Sequence, residues 1–298
     1  SDLAWLRADV SLPPREAGPA DQDLAVRRDL ARVLALERTG RYDEALALAE
    51  GSLEAAQALG DRVVEAEAQA KLGTIRWRMA DFAPAEQALR AGHFLAGRVA
   101  HDRVAYATAR DLAWVVGVRL ARPGEGRTWL EHARMNLARA GEDPERDPEL
   151  LVMLGELEGA EGRLAEALAA HERALALREQ ALGAQHPEIA DSLVNVGRLQ
   201  AALGDARALA TLERGRALAE ATLGPAHPVV ATADNELGVL LLGLGRGPEG
   251  IAALRQAIEI RERALGADDP GLASMLSNLA AAQAEHGEGE EAVVLLGR

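Results

Sequence analysis

Apolar residues recur at helical spacing along most of the chain. In the stretch 163–182, RLAEALAAHERALALREQAL, the positions that share one helix face are Leu164, Ala167, Leu168, His171, Ala174 and Leu175. A second kind of helical stretch runs from a Pro to a Gly, as in Pro187 to Gly204. Pro suits the first position of a helix and Gly suits its end. The pattern therefore predicts pairs of helices joined by glycine turns.

The helix pairs repeat along the sequence. Three segments align around prolines that follow His or Asp, namely Pro187, Pro228 and Pro270. Consecutive prolines are 41 and 42 residues apart, and one residue is missing from the middle repeat in the stretch 205–208. A repeat array tolerates a deletion better at a turn than in a helix. We therefore expect the deletion to affect a turn and the first helical turn after it.

The same pattern extends more loosely toward the N-terminus. We predict a lead-in segment, residues 1–22, followed by one repeat array, residues 23–298. The approximate repeats are 23–60, 61–100, 101–141, 142–183, 184–224, 225–266 and a truncated 267–298. The last helix stops at Arg298 soon after it starts, which we interpret as a cut end because a natural array would have a capping helix there.

Composition favours helix packed closely on helix. Hydrophobic residues make up 48% of the chain and aromatic residues only 3%, so the apolar content is mostly Ala, Leu and Val. The formal net charge of −14 disfavours nucleic acid and anionic membranes as partners. The absence of cysteine excludes disulfides, thiol catalysis and cysteine-ligated metals. No apolar run is long enough for membrane insertion.

Small residues mark the points where two paired helices approach each other closely. In one repeat the small residues, the turn glycine and the leucine after it are Gly155, Gly162, Leu164, Ala167 and Ala174. This motif resembles the tetratricopeptide repeat (TPR) family, and the long period with its LG-x-x-HP step resembles the kinesin light chain type. The resemblance implies an all-α fold, a right-handed α-solenoid of stacked antiparallel helix pairs, that binds a partner protein or peptide.

Two repeats depart from the motif. The second-helix alanine is Gly250 in the sixth repeat, and the fifth repeat carries the deletion. We expect looser packing in these two repeats.

The N-terminal sequence carries a second resemblance. DLAWLRADVSLPP at residues 2–14 and RRDLARVLALERTGRYDEALALAE at 27–50 resemble the junction after the catalytic domain of myxobacterial serine/threonine protein kinases. That resemblance implies the regulatory region of a bacterial signalling kinase. The alternatives are the sensor repeats of a STAND-type signalling ATPase and a free-standing scaffold. The expected compartment is the cytoplasm, or the extracytoplasmic side if the parent protein has a membrane span before residue 1.

No catalytic motif is readable in the chain, and we expect it not to be an enzyme. Kinase motifs are absent, and Lys71, the only lysine, is followed by Leu72 instead of the Ser or Thr of a P-loop. The GxGxxG string Gly245, Gly247 and Gly250 follows a helical pattern and not a strand. We interpret it as an inter-helix turn with a small packing position, and we predict no cofactor.

Candidate metal ligands have simpler interpretations. His186 and His227 precede prolines at equivalent points, and Asp269 has the same place in the next repeat. Helix capping explains this recurrence better than a metal site, because equivalent positions in stacked repeats are too far apart for one ion. The acidic residues within 142–147 are interpreted as a solvated loop that places negative charge at a helix start. We predict no metal.

The TPR resemblance implies that the first helices of the pairs line a concave groove. Helix phase places on this face Trp77, Arg78, Asp111, Arg119, Glu156, Asp191, Asn195, Arg198, Asn235 and Asn278. An Asn there either holds a peptide backbone or bonds the neighbouring helix. Trp77 and Trp114 in first helices, and Trp129 in a second helix, either fill the core or anchor a partner.

The charge of the predicted groove leans acidic, which favours a basic or neutral partner segment. With a single lysine, the chain lacks the Lys, Asn and Arg set of the family's dicarboxylate clamp. The identity of the partner and the oligomeric state stay open.

Overall fold

The computed structural model describes residues 20–267, 269 and 271–285. Within these residues the chain forms thirteen α-helices and no strand. In chain order they are α1 (Ala20–Arg38), α2 (Tyr42–Leu59), α3 (Arg62–Arg78), α4 (Phe82–Arg98), α5 (Asp102–Trp114), α6 (Pro123–Arg139), α7 (Pro148–Ala160), α8 (Leu164–Leu182), α9 (Pro187–Ala202), α10 (Ala208–Leu223), α11 (Pro228–Gly243), α12 (Gly247–Leu265) and α13 (Leu272–Glu285). The junction sequence at residues 2–14 and the proposed cut end lie outside the described residues.

The chain divides into two compact units, residues 1–144 and residues 145–298. Unit 1 holds α1 to α6, and unit 2 holds α7 to α13. In each unit consecutive helices contact one another, most extensively between α3 and α4 in unit 1 and between α11 and α12 in unit 2. The predicted fold class, an all-α array of antiparallel helix pairs, is confirmed.

Left-handed residues close the turns between helices. In unit 2, Gly162 has a φ of 78°, which glycine adopts without strain because it has no Cβ. In unit 1, three turns instead hold alanine in this conformation, at Ala80 with a φ of 60°, Ala100 with 55° and Ala121 with 52°. The alanine Cβ makes this backbone conformation costly. These turns of unit 1 therefore carry strain that the glycine turns avoid.

Capping residues begin three helices of unit 2 as the sequence predicts. Pro187 and Pro228 are the first residues of α9 and α11. The Nδ1 atoms of His186 and His227 accept hydrogen bonds from backbone N–H groups two residues on, at 3.3 and 3.2 Å. Asp147 accepts a bond of 2.8 Å from a backbone N–H at the start of α7. The capping interpretation is confirmed for these three side chains.

Glycines set the distance between α11 and α12. A Cβ added at Gly238 would lie 2.7 Å from the Cγ of Leu254, and one added at Gly250 would lie 2.8 Å from the carbonyl oxygen of Gly238. Close carbon–oxygen contacts in proteins begin at about 3.3 Å. The expectation that Gly250 loosens the sixth repeat is wrong, because the two helices pack glycine against glycine, closer than alanine allows.

The one-residue deletion falls at the start of α10, as predicted. Helices α8 and α12 have 19 residues each, whereas α10 has 16. Helix α10 begins at Ala208 after the link 203–207, which is longer than the three-residue turns 161–163 and 244–246. The deletion therefore shortens a second helix at its first turn and leaves the rest of the pair intact.

Candidate functional site

The first helices of the pairs lie side by side in each unit. In unit 1, α3 contacts both α1 and α5, and in unit 2, α11 contacts both α9 and α13. We call the solvent-facing side of α1, α3, α5 and the π-helical segment that follows α5 the A face of unit 1. The solvent-facing side of α7, α9, α11 and α13 is the A face of unit 2. The predicted groove residues are divided between these two faces.

An aromatic cluster lies on the A face of unit 1. The rings of Trp77 and Trp114 are half-buried, with centroids 4.8 Å apart and planes at 56°. Phe82 meets Trp114 edge-on at 6.3 Å. The guanidinium of Arg78 lies 4.0 Å from the Trp77 ring centre, and that of Arg119 lies 4.8 Å from Phe82 and 5.4 Å from Trp114. The cluster therefore joins exposed cations to aromatic faces, an arrangement that stabilises both.

A π-helical segment, Val115–Arg119, positions one of these cations. The backbone N–H of Leu120 donates to the carbonyl of Val115 at 2.9 Å, and that of Arg122 donates to Val116 at 3.0 Å. The wider turn rotates the end of the helix relative to a regular α-helix. Arg119 consequently lies over the aromatic cluster, although the sequence gives no sign of the π conformation.

Asp111 is not available on the A face of unit 1. Its side chain is buried and accepts a hydrogen bond from the Thr74 hydroxyl at 3.0 Å. It also forms an ion pair with Arg110 at 2.9 Å. The carboxylate ties α5 to α3, because Thr74 belongs to α3. We therefore assign Asp111 to packing between first helices.

A second aromatic cluster lies between α4 and α6. Trp129 is 6% exposed and meets the ring of His93 at 5.1 Å, which supports core filling for this tryptophan. The Nδ1 of His93 lies 3.0 Å from the Ala105 carbonyl, and the Nδ1 of His132 lies 3.3 Å from the Nε2 of His93. Burial lowers the pKa of His93, and the neighbouring His132 adds to this, against the opposing bond to Ala105. The buried ring is therefore held neutral near pH 7.

Glu156 on the A face of unit 2 is paired with a buried histidine. His171 of α8 is 3% exposed and packs against Gly155, at a position where α10 has Leu212. Its Nε2 lies 3.4 Å from the Oε1 of Glu156. Burial raises the pKa of Glu156, but the hydrogen bond to His171 and the nearby charges of His171 and Arg198 outweigh it. The pKa of Glu156 therefore lies below its ordinary value, and the carboxylate is charged.

Asp191 stands exposed on the same face. It accepts one hydrogen bond of 3.4 Å, from the side-chain amide of Asn195 one turn further along α9. Among the described residues no cation lies within 4 Å of its carboxylate. The pKa of Asp191 is raised mainly because neighbouring protein atoms displace water from around its carboxyl group. The charge of Glu156 also raises it, and the charge of Arg178 lowers it. Its negative charge is thus incompletely compensated.

The two asparagines of α11 and α13 bond to each other. Asn278 donates from Nδ2 to the Oδ1 of Asn235 at 3.1 Å, and Asn235 is only 6% exposed. Asn235 in turn donates to Glu236 at 3.2 Å. These asparagines therefore join neighbouring first helices, which leaves Asn195 as the asparagine whose amide lies beside an exposed carboxylate.

Glu236 is a residue of this face that the sequence argument missed. Counted from the first proline of each helix, it stands at the position of Asn195 and Asn278, so the repeat register could have found it. Burial raises its pKa, with Arg198 and Asn235 opposing. Within the described residues, no ion pair holds Glu236. Glu236 and Asp191 are thus two incompletely compensated carboxylates on the A face of unit 2.

Two features of the described residues bear on metal and nucleotide binding. They contain no group of three or more His, Asp or Glu side chains placed to hold a metal ion. Helix α11 precedes Gly245, and α12 begins at Gly247, which confirms the GxGxxG string as an inter-helix turn. In the same part of the chain, no helix is both long and apolar enough to cross a membrane.

Stacked antiparallel helix pairs with the first helices side by side define a helical-repeat protein. The tetratricopeptide repeat family profile matches residues 23–92, 148–221 and 229–298, more than half of the chain. The chain therefore belongs to the tetratricopeptide repeat family, and the resemblance drawn from the sequence is confirmed. Residues 93–147, outside the matched ranges, include the π-helical segment and Trp129.

Solved structures of similar fold include two Rap proteins. One is the Rap conjugation gene regulator of the plasmid pLS20 in complex with the Phr* peptide, at 14% identity and a TM-score of 0.70, covering 98% of this chain and 78% of that one. The other is a Rap protein complexed with Competence and Sporulation Factor, at 14% identity and a TM-score of 0.66, covering 92% and 74%.

Kinesin light chain TPR-like repeats from Podosopora anserina are also similar, at 24% identity and a TM-score of 0.48, covering 66% of this chain and 92% of that one. No curated protein matches the sequence significantly.

Proposed function

We propose that the A face of unit 2 binds a segment of a partner protein that carries basic side chains. The carrying observation is the pair of carboxylates, Asp191 and Glu236, that no cation of the described residues neutralises at ion-pair distance. Charges left uncompensated on a half-buried surface favour a partner of opposite sign. The formal net charge of −14 adds a long-range attraction for a basic segment.

Arg198 adds one positive charge to this otherwise acidic face. Its charge lowers the pKa values of both Glu156 and Glu236. A cationic segment would contact Asp191 and Glu236, while the Asn195 amide offers a donor and an acceptor to its backbone.

The fold neighbours support peptide binding by this arrangement of helices. Two Rap structures of similar fold were solved with a bound factor or peptide. At 14% identity the likeness concerns the fold and does not identify the residues that bind.

The test compares two fluorescein-labelled peptides of about twelve residues, one alternating Leu and Arg and the other alternating Leu and Glu. Fluorescence anisotropy should show binding of the arginine peptide, weakened by salt, and little binding of the glutamate peptide. The variant Asp191→Lys/Glu236→Lys should lose most of the affinity. The control Glu54→Gln/Glu166→Gln changes exposed acids on second helices and should retain it. Equal affinity of the wild type and the lysine variant would overturn the proposal.

We propose in addition that the array is the partner-binding region of a larger signalling protein. The resemblance of residues 2–14 and 27–50 to a kinase junction supports a serine/threonine kinase as the parent. Reading the coding sequence upstream of Ser1 tests this. Kinase motifs there would support the regulatory region of a kinase, a P-loop would instead support a signalling ATPase, and a nearby start codon a free-standing scaffold.

A further inference from the structure

Helix α11, the first helix of the sixth pair, carries a charged residue at a position that is apolar in α9 and α13. Asp234 is the sixth residue after Pro228, and the same step from Pro187 leads to Leu193. In α13 the corresponding residue is Leu276. Both leucines pack in the apolar core of unit 2, whereas Asp234 is a buried carboxylate that is 3% exposed.

The partner of this carboxylate is also a charged replacement. Arg216 of α10 follows the small residue Gly215, and the residues in the same place in α8 and α12 are Leu175 and Ile258. Arg216 and Asp234 form an ion pair between α10 and α11. A charged pair thus stands where the neighbouring repeats place two apolar side chains. Such a pair usually stabilises a protein less than well-packed apolar residues of similar size.

The ion pair satisfies only half of the buried carboxylate. Arg216 bonds Oδ1 of Asp234, while the buried Oδ2 has no hydrogen-bond partner. A buried acceptor left unsatisfied costs free energy that a ligand's N–H group could recover.

Asp234 and Arg216 both line a cleft on the side of unit 2 that the second helices form. It has a volume of about 430 Å³ and lies between α10 and α12, with α11 at its base. Apolar side chains, Leu209, Leu237 and Leu241 among them, line it together with the charged pair. Leu209 is the second residue of α10, so the shortened start of that helix forms one end of the cleft.

The side chains that line the cleft carry a net negative charge that one cation would neutralise. Its lining contains the carboxylates of Glu213, Asp234 and Glu249 and the guanidiniums of Arg216 and Arg246, which sums to a single negative charge. We propose that this cleft binds an arginine side chain of a partner protein. The arginine pairs with the carboxylates that line the cleft, Asp234 among them, and its methylene stem packs beside the leucines. A guanidinium fits better than an ammonium because it is less strongly hydrated and loses less hydration on entering a partly apolar cleft.

The probe for this site is N-acetyl-L-arginine N-methylamide, titrated into the full chain and followed by NMR. A compound of this size is expected to bind with a dissociation constant on the order of 1 mM. The neutral isostere N-acetyl-L-citrulline N-methylamide should bind at least about tenfold more weakly, because it carries no charge. Resonances of residues around the cleft should shift, independently of any shift at the carboxylates of the A face.

Two variants separate the site from general effects on folding. Asp234→Asn should weaken binding of the arginine probe by about tenfold or more. Arg216→Leu/Asp234→Leu restores the residue types of the neighbouring repeats, so it should fold and fail to bind. Glu54→Gln, an exposed acid on α2 of unit 1, should bind like the wild type.

Three results would overturn the proposal. They are equal binding of the arginine and citrulline probes, unchanged affinity in the leucine double variant, and no resonance shift at about 20 mM probe, well above the expected dissociation constant. Tighter binding of the matching lysine probe would exclude the guanidinium as the preferred group. Because this cleft and the A face of unit 2 are probed by different variants, failure of one proposal leaves the other standing.

Discussion

Replacing Gly250 by alanine tests how closely α11 and α12 are packed. The new Cβ would lie 2.8 Å from the carbonyl oxygen of Gly238, so the helices must separate by roughly 0.5 Å to reach an ordinary contact. Because the obstacle is backbone, no rotamer change relieves it. Overpacking of this kind costs about 1–3 kcal/mol, and the higher helix propensity of alanine returns about 1 kcal/mol. We expect a net loss of about 1 kcal/mol in the free energy of unfolding.

The matched control is Gly51→Ala, in the interior of α2. A Cβ at Gly51 meets no atom within 4 Å, so only the propensity gain of about 1 kcal/mol remains. Urea unfolding followed by circular dichroism gives both changes, and amide hydrogen exchange in α11 and α12 shows whether the effect is local, as expected for a repeat array. If Gly250→Ala is as stable as Gly51→Ala, the glycine contact does not set the helix spacing and the reasoning fails.

Three further substitutions test other parts of the structure. Asp147→Ala removes the cap of α7 and should lower the free energy of urea unfolding by about 1 kcal/mol, whereas Asp147→Asn should keep most of it. Arg216→Leu/Asp234→Leu should raise the midpoint of thermal unfolding measured by calorimetry, since apolar replacement of a buried ion pair often stabilises by about 1–4 kcal/mol. Asp234→Leu alone should lower the midpoint, because Arg216 loses its buried partner and keeps only the exposed Glu220. The lowered pKa of His93 means that the unfolded chain binds a proton more readily, so stability should fall as the pH drops below 6.5, the ordinary histidine value. His93→Gln should remove that part of the loss in urea unfolding at several pH values, and an unchanged pH dependence would contradict the assignment.

The repeat architecture was predictable because its signals are local. A Pro at a helix start, a capping side chain before it and a glycine in the turn each act within a few residues, and His186 and Gly162 have the predicted roles. Even the deletion could be placed at the first turn of α10, because the positions of neighbouring glycines fix the register of each repeat.

Packing between helices was harder to predict than the helices themselves. Asp111 has the helix phase of a groove residue, but Thr74 on the adjacent helix draws it into a buried hydrogen bond. Gly250 looks like a weakened alanine position until Gly238 is found opposite, which shows that the two helix backbones meet there. In both cases the deciding residue lies on another helix, and a single helix pattern contains no information about it.

The Arg216–Asp234 pair in the cleft between α10 and α12 shows what alignment of the repeats can reveal. Arg216 and Asp234 each occupy a position that is apolar in the neighbouring repeats, so alignment of the repeats identifies both residues without a structure. The sequence does not show that the two residues meet, or that one carboxylate oxygen stays unsatisfied. Contact between the two residues depends on how α10 packs against α11.

The alanine turns of unit 1 are positions where substitution by glycine would raise the free energy of unfolding. Ala80, Ala100 and Ala121 each sit in a conformation that costs an alanine about 1 kcal/mol or more and costs a glycine almost nothing. Gly40 and Gly60 show that turns of the same unit accept glycine. Substituting glycine at the three alanine positions would therefore stabilise unit 1 without changing a residue of the aromatic cluster or of the A face of unit 2. Selection retains what is stable enough, and these turns mark where a designer could raise the melting temperature at little risk to binding.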